Sequence, residues 1–440
     1  MCMESRFTFV LCDSTPISSK PDCNGKIKAS YSGMVSLKNQ KKVLTIVYFI
    51  TFIALGLVAG ALGPSIPSFA KNTATELSKI SSMFIFSAFG YVMGSYLAGI
   101  LFHKFPGNKV LAGVLVFMST GIALLPIVNS LWILVALIFL VGMAQSNLDV
   151  GENALIVWLH GSKVAPYMNG LHFFFGIGSF IAPLIIAQSL KGTQAINLAF
   201  WIFAILILLP IPFLLKLDSP KNPDHVQPSQ DTPTRPKASK TTVVLLIIFF
   251  LFFSGGEITF SNWIYTHGLK TGFVSVESAA YLTSTYWGTF MLGRLLGVVI
   301  SRHLSNRFII WVDILGGITS LVIMLIFPHS AAVLWVFSGF FGLFVATGFP
   351  TGMNLAGELN AVTARITSLI FVSSSVSVMI SPWIVGQFIE RPNNQALIWV
   401  VLINISLAAV AMQAVQFSTR RDTQAALQPN EILPRSASTD

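Results

Sequence analysis

Charge is what this sequence has least of. Of 440 residues only 10% are Asp, Glu, Lys or Arg, against about 25% in an ordinary soluble domain. A chain so poor in charge is not disordered, not a coiled coil and not an ordinary soluble enzyme. Cysteine is nearly missing as well. Cys2, Cys12 and Cys23 are the three, all near the N-terminus and none in an apolar run. Their spacing suits no metal site and offers no disulfide framework. Acidic residues are the scarcer sign, 17 against 27 basic ones, for a formal net charge of +10. That excess would suit nucleic acid, but its location excludes this: Lys and Arg sit in connectors and tails, where membrane orientation requires them. No HExxH, GxSxG or GxxxxGK signature occurs, so no enzyme is expected.

Long apolar runs are what the chain has in abundance. Hydrophobic types make up 54% of it, about 240 residues, which is the demand of twelve bilayer-crossing helices at roughly 20 residues each. Apolar segments fall at 43–67, 78–102, 109–127, 131–158, 166–190 and 194–216, then at 241–266, 277–300, 308–327, 331–357, 365–389 and 394–417. Residues 1–42 read as a flexible polar arm, in which everything before Met34 looks dispensable. Between the two sets lies 217–240, where Pro220, Pro223, Pro228, Pro233 and Pro236 prevent a helix and mark a linker. Residues 418–440 read as a polar tail. The expected organisation is an N-terminal bundle at 43–216 and a C-terminal bundle at 241–417.

Basic residues orient the chain. Lys104, Lys109, Lys163, Arg302, Arg307 and Arg365 fall on the same side as the basic arm, linker and tail. Lys71, Lys79, Lys191, Lys270 and Arg391 fall on the other. The first side is expected to be cytoplasmic, so both termini face the cytoplasm of a cell (plasma or inner) membrane.

The halves echo each other. At an offset of 198, Gly90, Met93, Leu97 and Gly99 fall on Gly288, Met291, Leu295 and Gly297, and Lys104 falls on Arg302. A parallel six-helix repeat joined by a polar linker is similar to the plan of the major facilitator superfamily. The fold class expected is an all-α membrane protein, twelve transmembrane helices in two pseudo-symmetric six-helix bundles. Small residues at four-residue spacing (Gly56/Gly60, Gly90/Gly94, Gly293/Gly297, Ser373/Ser377/Ser381) predict close helix packing.

Polar residues gather on single helix faces: Gln145, Asp149, Glu152 and Asn153; Asn169, His172, Gly176 and Ser179; Ser254, Glu257, Ser261 and Tyr265; Ser284, Trp287, Met291 and Arg294; Thr347, Thr351, Asn354 and Glu358. Lipid cannot hydrate these groups, so the faces meet one another or line a wet cavity. For a single Ser or Thr an interhelical hydrogen bond suffices. For five faces carrying carboxylates a shared cavity is the better reading. Asp149, Glu152, Glu257 and Asp313 outnumber the one fixed buried base, Arg294, with His172 able to protonate. A surplus carboxyl takes up a proton, binds a cation or faces water, as a coupled transporter needs. At 1.5 Å per residue Glu152, His172, Arg294 and Asp313 all lie about 10 Å from the linker side. This predicts an Arg294–Asp313 pair, with Asp149 and Glu152 titrating beside His172; the rival pairs Arg294 with Asp149. Glu257 beside Asn262 and Trp263 suits a sugar, the acid accepting from hydroxyls and the indole packing on C–H faces. Interfacial anchoring is the other reading of Trp263.

The stretch Leu148-Asp149-Val150-Gly151-Glu152-Asn153, followed by Asn169-Gly170-Leu171-His172-Phe173-Phe174-Phe175-Gly176-Ile177-Gly178 and Pro183, resembles the fourth- and fifth-helix signature of fucose-permease-like and sodium-dependent-glucose-transporter-like facilitators. Trp287-Gly288 with Gly293-Arg294, and Gly255-Gly256-Glu257 with Trp263, resemble their eighth and seventh helices. The resemblance implies that Asp149 matches an acid associated with proton or sodium coupling. Two departures stand out. The first helix, through Gly56–Leu62, has no acid, and His103 stands where an Asp is usual in the helix 2–3 loop.

The expectation is therefore a secondary active transporter moving a small polar solute, a monosaccharide, by alternating access coupled to H+ or Na+. It would work as a monomer in the lipid bilayer, without cofactor, metal or nucleic-acid partner. A multidrug/proton antiporter or another organic-solute facilitator is the alternative, and a non-transporting sensor or scaffold a remoter one. The ion-coupling candidates are Asp149, Glu152, His172, Glu257 and Arg294. The substrate candidates are Gln145, Asn153, Asn169, Ser261, Asn262, Trp263, Trp287 and Asn354.

Overall fold

A computed structural model describes residues 23–221, 238–361, 363–391 and 395–427. Among them there is no strand. Eleven helices are long and apolar enough to cross a membrane: α1 (Asn39–Asn72), α2 (Leu77–Lys104), α3 (Gly107–Ile127), α4 (Leu131–Lys163), α5 (Ala165–Thr193), α6 (Asn197–Lys216), α7 (Lys240–Thr271), α9 (Asn306–Ile326), α10 (Ala331–Glu358), α11 (Arg365–Phe388) and α12 (Ala396–Arg421). The twelfth, α8 (Val276–Ile300), is long enough but dilutes its apolar residues with Thr283, Ser284, Thr285, Thr289 and Arg294. A helix facing protein and water on one side needs less oil.

Helical structure exceeds the expected segments at both ends. The helix leading into α1 starts at Cys23, within the stretch expected to be a flexible arm, and α12 continues to Leu427, past the expected tail boundary. The apolar pattern measures the lipid-crossing part, whereas backbone hydrogen bonding carries a helix into polar sequence. The arm before residue 23, the linker from 222 to 237 and the tail from 428 lie outside the described residues.

Without a hydrophobic drive between helices in lipid, close backbone approach and local polar bonds hold the bundles. Gly56 of α1 lies so close to α5 that a Cβ there would meet the Phe175 carbonyl at 2.1 Å; at Gly90 of α2 it would meet the Phe139 carbonyl of α4 at 2.0 Å. The second half repeats both pairings. Gly293 of α8 lies on Leu343 of α10, and Ser254 of α7 donates to Ser374 of α11 at 3.2 Å. So α1/α5 answers α7/α11, and α2/α4 answers α8/α10. The small-residue stripes thus serve packing inside each bundle.

The seam between the bundles is built from α1, α2 and α5 against α7, α8 and α11. Its hydrogen bonds gather away from the linker. Gln387 donates to the Ser78 carbonyl and to Ser81 Oγ, both at 3.0 Å. The Leu77 amide donates to Glu390 at 3.2 Å, and Gln188 donates to the Tyr281 hydroxyl at 2.8 Å. Ser284 donates to the Phe180 carbonyl at 3.0 Å. Descending toward the linker, Phe175 meets Trp287 edge-on at 6.1 Å and Gly176 lies on Met291. One turn below, His172 is exposed, as are Asn169 and Asn354. The hydrogen bonds between the bundles thus lie at the far end, and the exposed polar side chains of the seam lie at the linker end.

Candidate functional site

Four expected residues meet where the helices part. Phe175 and Gly176 of α5 touch Trp287 and Met291 of α8, so the next turns carry His172 and Arg294 to facing positions. Arg294 lies in the electrostatic field of His172 across the seam and of Glu257 on α7. Its guanidinium carbon stands 4.9 Å from the Phe290 ring centroid, a cation–π contact that holds the head group without neutralising it. Tyr286, whose hydroxyl donates to the Glu257 carbonyl at 3.3 Å, joins α8 to α7 at this level.

The polar groups here divide by whether the protein already satisfies them. Arg294 Nε is buried without a hydrogen-bond partner, and among the described residues Arg294 and Glu257 feel each other's charge without a bond between them. Gln145 is half-buried and Asn169 and Asn354 are exposed. Trp287 packs its indole against Phe175, Tyr286 and Phe290. In contrast, Ser261 donates to the Ile258 carbonyl at 2.9 Å and Asn262 donates to the same oxygen at 2.9 Å. Trp263 is fully buried, donates its N–H to the Pro382 carbonyl at 2.8 Å and packs on Phe84. The structure therefore places Ser261, Asn262 and Trp263 in the closed seam, apart from Glu257.

The carboxylates of α4 form a second centre. Tyr91 of α2 donates to Asp149, and Asn153 donates to the other Asp149 oxygen at 2.8 Å. Asp149 and Asn153 are half-buried, while Glu152 is fully buried and bonded to the Thr51 hydroxyl of α1. Glu152 and His172, expected level and able to pair, are not bonded to each other.

The expected Arg294–Asp313 pair is absent. Asp313 accepts from Thr347 at 2.6 Å, where α10 is interrupted at Ala346–Thr347, and the carboxylate whose charge acts on Arg294 is Glu257. Equal depth along neighbouring helices does not set which way a side chain turns. Thr51, Tyr91 and Tyr286 escape a search for charge, because a Thr hydroxyl in an apolar helix usually bonds its own backbone and a Tyr counts there as an aromatic; Thr347 stands on an expected polar face, but not as the expected partner of Asp313.

The sequence profile of the Major Facilitator Superfamily matches residues 44–382. The chain belongs to this superfamily and is a membrane transporter, not an enzyme. Sodium-dependent glucose transporter 1 of Danio rerio is 27% identical over 404 residues, covering 83% of this chain and 67% of that protein. Its Homo sapiens counterpart is 25% identical, covering 76% and 71%. Sodium-dependent glucose transporter 1A of Mus musculus is 26% identical, covering 77% and 88%. Among solved structures, the nucleoside transporter NupG superposes with a TM-score of 0.65 at 14% identity, over 87% of this chain and 99% of that one. A bacterial homologue of the human lysosomal transporter Spinster, described as inward-facing and unoccupied, gives 0.63 at 13%, over 88% and 98%. These two likenesses are of fold.

Proposed function

We propose that this protein moves a monosaccharide across its membrane by alternating access, coupled to Na+ or H+, with the linker end in the cytoplasm. One observation carries the reading: Glu257 and Arg294 are opposite charges in each other's field, yet among the described residues no bond joins them and Arg294 Nε is buried without a partner. Leaving two such groups unmet inside a membrane protein is costly unless a ligand or water joins them. A sugar suits the gap, since each hydroxyl both donates and accepts. One donates to Glu257, a neighbour accepts from Arg294, and the C–H face lies on the indole of Trp287. His172, Asn169 and Asn354 offer further polar groups toward the linker end, whereas Gln145 lines a separate small cavity with Val58, Leu62 and Phe200. The sodium-dependent glucose transporters among the relatives support the same substrate class and favour sodium.

Asp149 is the coupling group in this reading. It is half-buried, held by Tyr91 and Asn153, and stands on the bundle opposite Glu257 and Arg294. Binding of a cation or proton at Asp149 and of sugar at Glu257/Arg294 would draw the open halves together. Each seam hydrogen bond at the far end contributes about 0.5–1.5 kcal/mol, so the whole seam is within reach of the few kcal/mol that a ligand supplies through differential affinity.

Purified protein in liposomes, given labelled hexoses with and without sodium and pH gradients, tests this. Gradient-driven hexose accumulation is expected. Efflux of lipophilic cations without any sugar flux would instead point to a drug antiporter.

A further inference from the structure

Glu152 stands apart from Glu257 and Arg294, and its surroundings lead elsewhere. Its carboxylate is fully buried; one oxygen meets the Thr51 hydroxyl, and the other, Oε2, has no partner. Asp149 on the same helix and Tyr48 on α1 are the ionisable groups whose fields reach it. Tyr48 is fully buried, and Thr51 also donates to its carbonyl at 2.8 Å. The Tyr48 hydroxyl is spent in the other direction, donating to Asn108 Oδ1 on α3 at 2.6 Å. Asn108, 1% exposed, is bonded on every side. Its Nδ2 donates to the Leu217 carbonyl at 3.0 Å, and its backbone N–H donates to Ser219 Oγ at 2.8 Å. Leu217 and Ser219 begin the segment that joins the two bundles. Bonds thus run from the buried acid to Thr51 and on to the Tyr48 carbonyl, and from the Tyr48 hydroxyl through Asn108 to the root of the linker.

We propose that Tyr48 and Asn108 are positioning residues for ion coupling, with the Tyr48 hydroxyl alternating between Asn108 Oδ1 and the orphan Oε2 of Glu152. When Glu152 is protonated, Tyr48 stays on Asn108, and Asn108 grips Leu217 and Ser219. When Glu152 gives up its proton as Asp149 takes its ion, the bare carboxylate needs a second donor in a place closed to bulk water. Tyr48 turns to it, Asn108 Oδ1 loses its donor, and the linker root loosens. Ion occupancy is thereby transmitted to the segment that the two bundles share as they rock. The proposal rests on the reading of α4 as the ion-coupling helix and assigns Glu152, rather than the cavity, as the point of transmission.

Tyr48→Phe removes one oxygen and leaves the ring in place. In liposomes, hexose counterflow without any ion gradient is expected to stay within about twofold of the parent, while gradient-driven accumulation falls about tenfold or more, as for a lost bond to a charged group. Trypsin cleavage after Lys216 and Lys221 supplies a readout independent of sugar. In the parent its rate should change between sodium and choline buffers or between acidic and alkaline ones. In Tyr48→Phe and Glu152→Gln that dependence should vanish. Equal losses of counterflow and accumulation, or wild-type behaviour of Tyr48→Phe in both, overturn the proposal. If no hexose moves in the parent, the assigned substrate is wrong. The cleavage comparison still decides this proposal, and ion-independent cleavage of the parent overturns it.

Discussion

Glu257 and Trp263 stand six positions apart on α7, and both suit sugar chemistry by type. Only the first has capacity left for a ligand, because Trp263 spends its N–H on the Pro382 carbonyl. Glu257→Gln and Arg294→Gln should each raise the half-saturating hexose concentration at least tenfold, or about 1.4 kcal/mol, in counterflow assays. Trp263→Phe should leave that concentration nearly unchanged. Asp149→Asn should retain exchange and abolish uphill accumulation; continued accumulation in that variant would remove Asp149 from the coupling role. The acids were legible as a surplus of negative residues in apolar segments. Their partners were not, because Thr51, Tyr91 and Thr347 are neutral and common in membrane helices.

Helices α2 and α8 show how packing and function share one element. Gly90 puts α2 against the α4 backbone, while Gly99, nine residues on, has nothing within 4 Å of where a Cβ would stand. Gly90→Ala must therefore push two backbones apart, at about 1–3 kcal/mol or more for overpacking. Gly99→Ala should be neutral or slightly stabilising through helix propensity. Thermal unfolding of the two variants in detergent checks this, and equal melting temperatures would contradict the close approach. The four-residue spacing of glycines was readable beforehand. Which neighbour each stripe meets was not, since every helix has several candidates within reach.

At the scale of the molecule, contacts gather at the far end and exposed polar groups at the linker end, an arrangement that the proposed alternating access would reverse. Asn169→Cys and Asn354→Cys, in a background lacking Cys2, Cys12 and Cys23, should react with a membrane-impermeant maleimide applied from the linker side. Ser261→Cys, 5% exposed, should stay protected. Adding hexose with the coupling ion should slow labelling of Asn169→Cys and Asn354→Cys by closing that end. Fast labelling of Ser261→Cys under the same conditions would mean that the seam does not seal.

Composition was enough to establish a helical membrane protein with twelve spans and two related halves. Lipid leaves backbone amides no partner but the helix itself, so apolar length translates directly into helix number. Depth could be counted from the sequence, because each residue advances a helix by a constant rise. Partnership could not. Arg294, counted level with Asp313, is coupled to Glu257, and Glu152, counted level with His172, bonds Thr51. Crossing angles and rotamers turn level side chains toward or away from each other, and those come from packing many helices at once.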